Sequence, residues 1–317
     1  MSGSSESPAG ARRRVRLTVR RAREDRGLTQ QTVADAMEWS LSKVMRIESG
    51  EVTIAPNDLR PLLGYLGIKG KETVDDLLQA AKISKQRKQW WDEPDVRDGF
   101  TPALKQVVQL EPDATAVRYF YPLVVPGRLQ TPEYARAVFN TFKGEISQQV
   151  IAARLAIRRH RRNDLLNRAR PATTYVLLDE SVLYRRVGGI EVLIGQLKDL
   201  LELIQQQRIY VRVIPLEDEA LVPMLGTYEI IYLEAEDDDD AVLYRESDLL
   251  DEIVEDVDAI RRHRATFERL WRSSLDETSS VELIERRVKD LATAPSHSRR
   301  GSGSAVSGSD SAGQKES

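Results

Sequence analysis

Between Thr29 and Gly50 the chain has little freedom in how it can fold. Val33, Ala34 and Met37 fall on one face of a helix that Thr29 caps and Gln30 begins. Ala34 is small enough to let a second helix cross close by. Ser40 can cap that second helix, which runs to about Ser49, and Gly50 suits the left-handed residue that ends it. At ~100° per residue, Leu41, Val44 and Ile47 form its buried arc. Ser42, Lys43, Met45 and Arg46 form the opposite arc. Two short helices with a tight corner, the second polar and basic on its free face, have the geometry of a unit that enters a DNA major groove. Arg and Lys can donate to guanine O6 and N7, and Ser can pair with several bases. Gln30 and the amides at the first helix's start can donate to a phosphate.

Charge points the same way. Residues 11–50 carry ten basic side chains against five acidic ones, whereas residues 234–258 carry thirteen acids against Arg245 alone, although the net charge of the whole chain is only -3. A polyanion partner for one region only fits that asymmetry. The chain has no cysteine, and His160, His263 and His297 lie far apart, so no disulfide, metal site or cofactor is expected. No apolar run is long enough to span a membrane, and the N-terminus lacks the apolar core of a secretory signal. The reading is of a cytoplasmic protein with no membrane contact.

Leu28-Thr29-Gln30, Ala34, Ser40, Val44, Ile47, Glu48 and Gly50 together resemble the Xre and phage-repressor family of DNA-binding domains, over about residues 14–70. The resemblance implies a five-helix fold that binds double-stranded DNA. It implies that Gln30, Ser40, Ser42, Lys43 and Arg46 face DNA and that Arg23 pairs with Glu48. One departure is the loop Glu51-Val52-Thr53-Ile54, where such proteins are often basic. Phosphate contacts would then lean on the Arg12–Arg16 arm.

With 317 residues the chain has room for roughly two domains. The expected division is a disordered tail over 1–11, a helix-turn-helix domain over 12–82, a linker over 83–99, an α+β domain over 100–292 and a low-complexity tail from 293 to 317. Trp90 and Trp91 in the linker are expected to dock onto one domain. Segments 173–178, 210–215, 227–233 and 241–245 are rich in β-branched and aromatic residues and read as strands. Leu193, Leu197, Leu200, Leu201 and Ile204 mark a helix, and 150–167 and 249–273 also read as helical. The fold class is therefore multidomain, an all-α five-helix DNA-binding domain followed by an α+β domain with a small mixed sheet.

The stretch Val125–Phe139, with Pro126-Gly127 as a turn and Thr131-Pro132 opening a helix, is the most distinctive in the second domain. With DESVLYRRVGG, QLKDLLEL, VRVIPL, GTYEII and VLYRES it resembles the C-terminal domain of WhiJ-like actinobacterial regulators, some described as antitoxin-like. Arg128 departs from that pattern, where an apolar residue is expected. Members are often encoded beside a small acidic protein, so the resemblance implies such a partner and no catalytic residues. Asp179 and Glu180, as neighbours on a strand, make a poor acid/base pair, and GxSxG, HExxH and phosphate-binding Gly loops are absent.

Two charged runs stay open. Glu234–Asp240 reads as a solvated hairpin loop, a calcium loop without EF-hand spacing, or a cover for the basic DNA-binding face. Arg154–Arg170, with seven Arg, reads as a packed helix with a basic outer face, serving solubility or an auxiliary contact. The preferred function is a sequence-specific DNA-binding transcriptional regulator, with a homodimer left open. The alternatives are an antitoxin-like module that sequesters a small partner and autoregulates, and a ligand-controlled repressor with a buried polar pocket in its second domain.

Overall fold

The computed structural model describes residues 7–85, 89–142, 144–169, 171–217, 226–233, 237–246 and 251–293. The N-terminal part is five helices: α1 (Pro8–Asp25), α2 (Gln30–Ala36), α3 (Leu41–Ser49), α4 (Pro56–Tyr65) and α5 (Lys71–Ile83). Ala11, Val15 and Val19 recur every fourth residue on α1 and meet Val33, Ala34, Val44, Ile47, Leu59, Leu62 and Leu77 in one core. Helix α1 begins inside the segment expected to be a tail. Ser7 Oγ caps it through the Gly10 amide at 3.1 Å, and the Ser7 amide donates to Asp113 of the second domain at 2.9 Å.

The expected linker is only partly one. Trp90–Asp92 form a 3-10 turn and Pro94–Arg97 a short helix, α6. Trp91 and Val96 pack against Val108 and Ile157 of the second domain, and Trp90 stacks on His160 with ring centroids 4.4 Å apart. The tryptophans therefore dock, and the segment is part of the second domain's surface.

That domain contains α7 (Pro102–Leu110), β1 (Ala116–Tyr121), α8 (Pro132–Asn140), α9 (Gln148–Asn167), β2 (Thr173–Asp179), α10 (Ser181–Tyr184) and α11 (Ile190–Gln205). It continues with β3 (Tyr210–Ile214), β4 (Thr227–Tyr232), β5 (Ala241–Glu246), β6 (Asp251–Val254), α12 (Val257–Ser273) and α13 (Glu277–Thr293). The strand order is β3-β2-β1-β4-β5-β6. Pairs β1–β2 and β2–β3 are parallel, and β1–β4, β4–β5 and β5–β6 antiparallel. One face packs Val117, Val176 and Val213 against Leu193, Leu197 and Leu200 of α11 and Ile284 of α13. The other packs Phe120, Tyr228 and Leu243 against Ile260, Phe267 and Leu270 of α12. The molecule is thus multidomain, a five-helix domain followed by an α+β domain with a six-stranded mixed sheet.

Two strands go beyond the sequence reading. Strand β1 (AVRYFY) is central and buried on both faces, so no alternation marks it. Strand β6 lies inside the expected helix 249–273. It pairs with the edge of β5, and the helix starts only where Asp256 caps the Ala259 amide at 2.8 Å. Glu180 is not on a strand with Asp179 but precedes α10. On α11 the buried stripe is Leu193, Gln196, Leu197, Leu200 and Leu203, so Leu201 and Ile204 sit at its margin. Gln196 anchors the 125–139 stretch: its Oε1 accepts from the Thr131 amide at 2.8 Å and its Nε2 donates to the Leu129 carbonyl at 3.0 Å.

Helix α9 is packed and keeps Arg159 exposed, as expected, but not all of its arginines lie on an outer face. Arg161 is buried, with Nη2 donating to Glu111 at 2.7 Å. Arg128, the residue that departs from the WhiJ-like pattern, is buried beside it. Its Nε donates to the Arg161 carbonyl at 3.1 Å and its Nη2 to Asp164 at 3.0 Å.

Candidate nucleic-acid interface

The corner between α2 and α3 is built by local chemistry. Thr29 Oγ1 accepts from the Thr32 amide at 3.0 Å, and Ser40 Oγ from the Lys43 amide at 3.2 Å. Helix α2 ends with Trp39 N donating to Ala34 O at 2.8 Å and Glu38 N to Asp35 O at 3.3 Å. This is the Schellman pattern, and it puts Glu38 at φ +55°. Gly50 ends α3 at φ +80°. Val44 and Ile47 are buried, but Leu41 is 38% exposed, against the expectation that it closes the buried arc. The seven residues of α2 cover the middle of α3 and leave its first turn open.

The free arc carries Ser42, Met45 and Arg46, all exposed, with Lys43 half-exposed beside them. A groove of about 550 Å³ runs along it, bounded by Arg20, Gln30, Ser42, Met45, Arg46 and Glu51. Each basic side chain of α3 holds a carboxylate at the surface. Lys43 Nζ is 2.9 Å from Asp58 and 3.9 Å from the Trp39 ring centroid, and Arg46 Nε is 3.4 Å from Glu51. Ser40 is occupied as the cap. Gln30 Nε2 donates to Glu48 at 2.8 Å.

Glu48 is the buried hinge of this arrangement. Arg23 Nε and Nη2 donate to its two oxygens at 2.7 and 2.9 Å, and Arg23 Nη1 donates to the Leu28 carbonyl at 2.9 Å. The hydrogen bond to Glu48 holds the Arg23 pKa above its ordinary value. One ion pair therefore ties α1 to α3 and to the entrance of α2, and Gln30 is set by the same carboxylate.

The Arg12–Arg16 arm expected to reach phosphates lies within α1, and some of its arginines face the second domain. Arg13 binds Asp240 and the Ala241 carbonyl, the latter at 3.1 Å, and lies 3.2 Å from Glu255. Arg16 also binds Glu255. Burial opposes the Glu255 charge, but Arg16 and Arg13 hold its pKa below the usual carboxylate value. The acidic run does meet basic residues, but on α1 and not on α3. Arg21 donates to the Asp239 carbonyl at 2.8 Å, while Arg261 and Arg264 of α12 hold Asp239 and Asp238, each at 3.1 Å. Residues 234–236 of that run lie outside the described residues. No group of three or more His, Asp or Glu among the described residues is arranged to hold a metal ion. No helix among them is long and apolar enough to cross a membrane.

Comparison with known families gives two matches. A helix-turn-helix domain matches residues 14–77. A domain of unknown function, DUF5753, matches residues 104–286, more than half of the chain. The chain belongs to the DUF5753 family. No curated protein and no solved structure matches it. The helix-turn-helix match covers α2 and α3 with their caps, and supports a DNA-binding regulator. The DUF5753 match covers the whole sheet with most of α7 and α13.

Proposed function

We propose that the chain is a sequence-specific transcriptional regulator of the cytoplasm, in which Gln30, Ser40, Ser42, Lys43 and Arg46 meet DNA and the DUF5753 domain controls occupancy. The free arc of α3 carries this reading. Its Lys43 and Arg46 are ion-paired to surface carboxylates, Lys43 also lying over the Trp39 ring, and such exposed ion pairs contribute ~0–1 kcal/mol. Exchanging Asp58 and Glu51 for a phosphate or a guanine edge therefore costs little. Gln30, anchored by Glu48, sits at the start of α2, where helix amides favour a phosphate.

The test is fluorescence anisotropy at fixed salt, on DNA from upstream of the chain's own gene and on scrambled DNA. Wild type should prefer the native fragment, and Arg46→Ala should lose ~1–3 kcal/mol of that preference. Equal affinity of both proteins for both DNAs would sink sequence reading through α3. A homodimer would favour half-sites ~34 Å apart.

A second reading has one supporting observation. Leu123, Tyr184 and Leu216 are exposed and follow the carboxyl ends of β1, β2 and β3. They are linked through Ser181 to Pro122 and through Glu180 to both Tyr184 and Leu216. This apolar edge suits the partner surface of an antitoxin-like, WhiJ-like protein whose partner is a small acidic chain encoded nearby. Copurification of that chain, abolished by Leu123→Ser with Leu216→Ser, is the expected outcome. Copurification unaffected by the double variant would remove the edge as the site.

A further inference from the structure

A cavity of about 640 Å³ opens on the sheet face opposite α12, within the size range of small-molecule sites. Strand register builds its floor. Tyr119 pairs with Glu229, Glu229 with Tyr244, and Tyr244 with Ile253, which puts the four in one row across β1, β4, β5 and β6. Side chains two residues along a strand share a face, so Tyr121, Glu246 and Asp251 belong to the same floor. The roof is the start of α7 and one stripe of α9, where Arg154, Arg158 and Arg161 follow each other at helical spacing.

The polar groups in this cavity are incompletely satisfied. Glu229 is 1% exposed. Its Oε1 accepts from Tyr121 Oη at 2.6 Å, but its Oε2 has no hydrogen-bond partner. The nearby cation, Arg161, stands 3.6 Å away and is committed to Glu111 at 2.7 Å. Burial pushes the Glu229 pKa up to about 7. On the roof, Arg158 donates to Gln130 and lies over the Phe139 ring at 4.1 Å; the Glu246 charge acts on it across the cavity, but no carboxylate among the described residues is within salt-bridge distance. Burial brings its pKa down to about 10. Between these groups the wall is apolar, from Leu104, Phe139, Ile157 and Ile253. A buried carboxylate oxygen without a donor and an arginine without a salt-bridged carboxylate, in one cavity, are complementary to a ligand that carries both charges.

We propose that this cavity binds a small amphoteric molecule, an amino acid or short peptide, with its acid group on Arg154 and Arg158 and its ammonium on Glu229 and Glu246. The site also gives the DUF5753 domain a route to the DNA-binding domain. Asp251 in the floor binds Thr101 and starts β6, and Glu255, just past the end of β6, holds Arg13 and Arg16 of α1. The effector role rests on the regulator reading; the binding claim does not.

The test uses the full chain without DNA, by thermal shift and calorimetry at pH 8. The probes are the twenty amino acids and a set of leucine-containing dipeptides. The best binder is then compared with its N-acetyl and C-amide forms. The expected result is at least tenfold weaker binding for each blocked form on wild type. Arg158→Met should bind parent and amide alike, and Glu229→Gln parent and N-acetyl form alike. No binding by any probe at millimolar concentration, or blocked forms as tight as the parent, would overturn the proposal. The wild-type comparison stands even where a variant fails to fold. DNA anisotropy on the same preparation reports separately on the regulator reading.

Discussion

Helices α3 and α9 both carry arginine, and the two sets do opposite work. Arg46 on α3 has a side chain 54% exposed and faces an exposed carboxylate. Its pairing is solvent-screened and leaves the charge available to a partner. Arg161 on α9 is 6% exposed and spans Glu111 and Glu229 in the interior. There the ion pair is held by geometry, and removing Arg161 leaves Glu111 buried without its hydrogen bonds, with Arg128 at 3.7 Å offsetting only part of its charge. Residue type does not distinguish the two roles; depth does.

The contrast breaks most visibly when each arginine is neutralised. Arg161→Met should cost ~3–5 kcal/mol, because Glu111 is left buried with its hydrogen bonds gone. Arg46→Met should change stability by no more than ~0.5 kcal/mol. Urea unfolding of both variants measures this, and similar losses would mean that the two environments are not different in kind.

The next effect sharpens the comparison through pH. Glu229 has a folded-state pKa near 7, pushed up by burial despite Arg161, against an unfolded value of ~4.3. Between those values the folded chain binds the extra proton, so this group's contribution to stability falls as pH rises and is flat above about pH 8. Glu229→Gln should therefore gain on wild type by about 3 kcal/mol between pH 4.5 and pH 8. Glu255 and Glu277, whose pKa values are shifted down, act oppositely but equally in both proteins. A difference that does not change with pH would show Glu229 to be an ordinary carboxylate.

How much of this was legible in the sequence follows from the range of the interactions. The helix-turn-helix reads directly because Thr29, Ser40 and Gly50 act within four residues of where they stand. The exposure of Leu41 was not legible, since it depends on how far α2 reaches along its neighbour. Strand β1 hides because burial on both faces removes alternation, and Arg118 in its middle reads as a surface residue. Arg161 of α9 looks solvent-facing until Glu111 and Glu229, distant in the chain, are brought under it. The acidic run announces that it needs cations, but only the tertiary structure selects α1 over α3.

The contact between the domains tests whether an intermediate case exists. Arg13 is buried like Arg161, yet its partners Asp240 and Glu255 are partly exposed. Arg13→Gln should cost about 2 kcal/mol, as loss of charge-assisted hydrogen bonds. The cost should shrink in high salt, which weakens partly exposed pairs. A salt-independent loss would place Arg13 with the interior arginines.

The smallest effect concerns backbone rather than charge. Helix α2 in the DNA-binding domain and α11 in the DUF5753 domain end alike, each with a non-glycine residue in the left-handed region, Glu38 at φ +55° and Gln207 at φ +56°. After α11, Arg208 N donates to Leu203 O and Gln207 N to Ile204 O, both at 2.9 Å, the same Schellman bonds as at Glu38. Helices α1 and α4 solve the same problem with Gly27 and Gly67. Two terms compete on replacing Glu38 or Gln207 with glycine. Relief of the left-handed strain stabilises by roughly 1–2 kcal/mol, and the added freedom of the unfolded chain costs roughly 0.5–1 kcal/mol. The net expectation is a gain of about 0.5 kcal/mol at each site, read as a small rise in urea midpoint with unchanged slope. Because neither side chain is needed by its own cap, the two gains should match. A gain at Gln207 without one at Glu38 would mean that the Glu38 carboxylate itself contributes to the corner beneath α3.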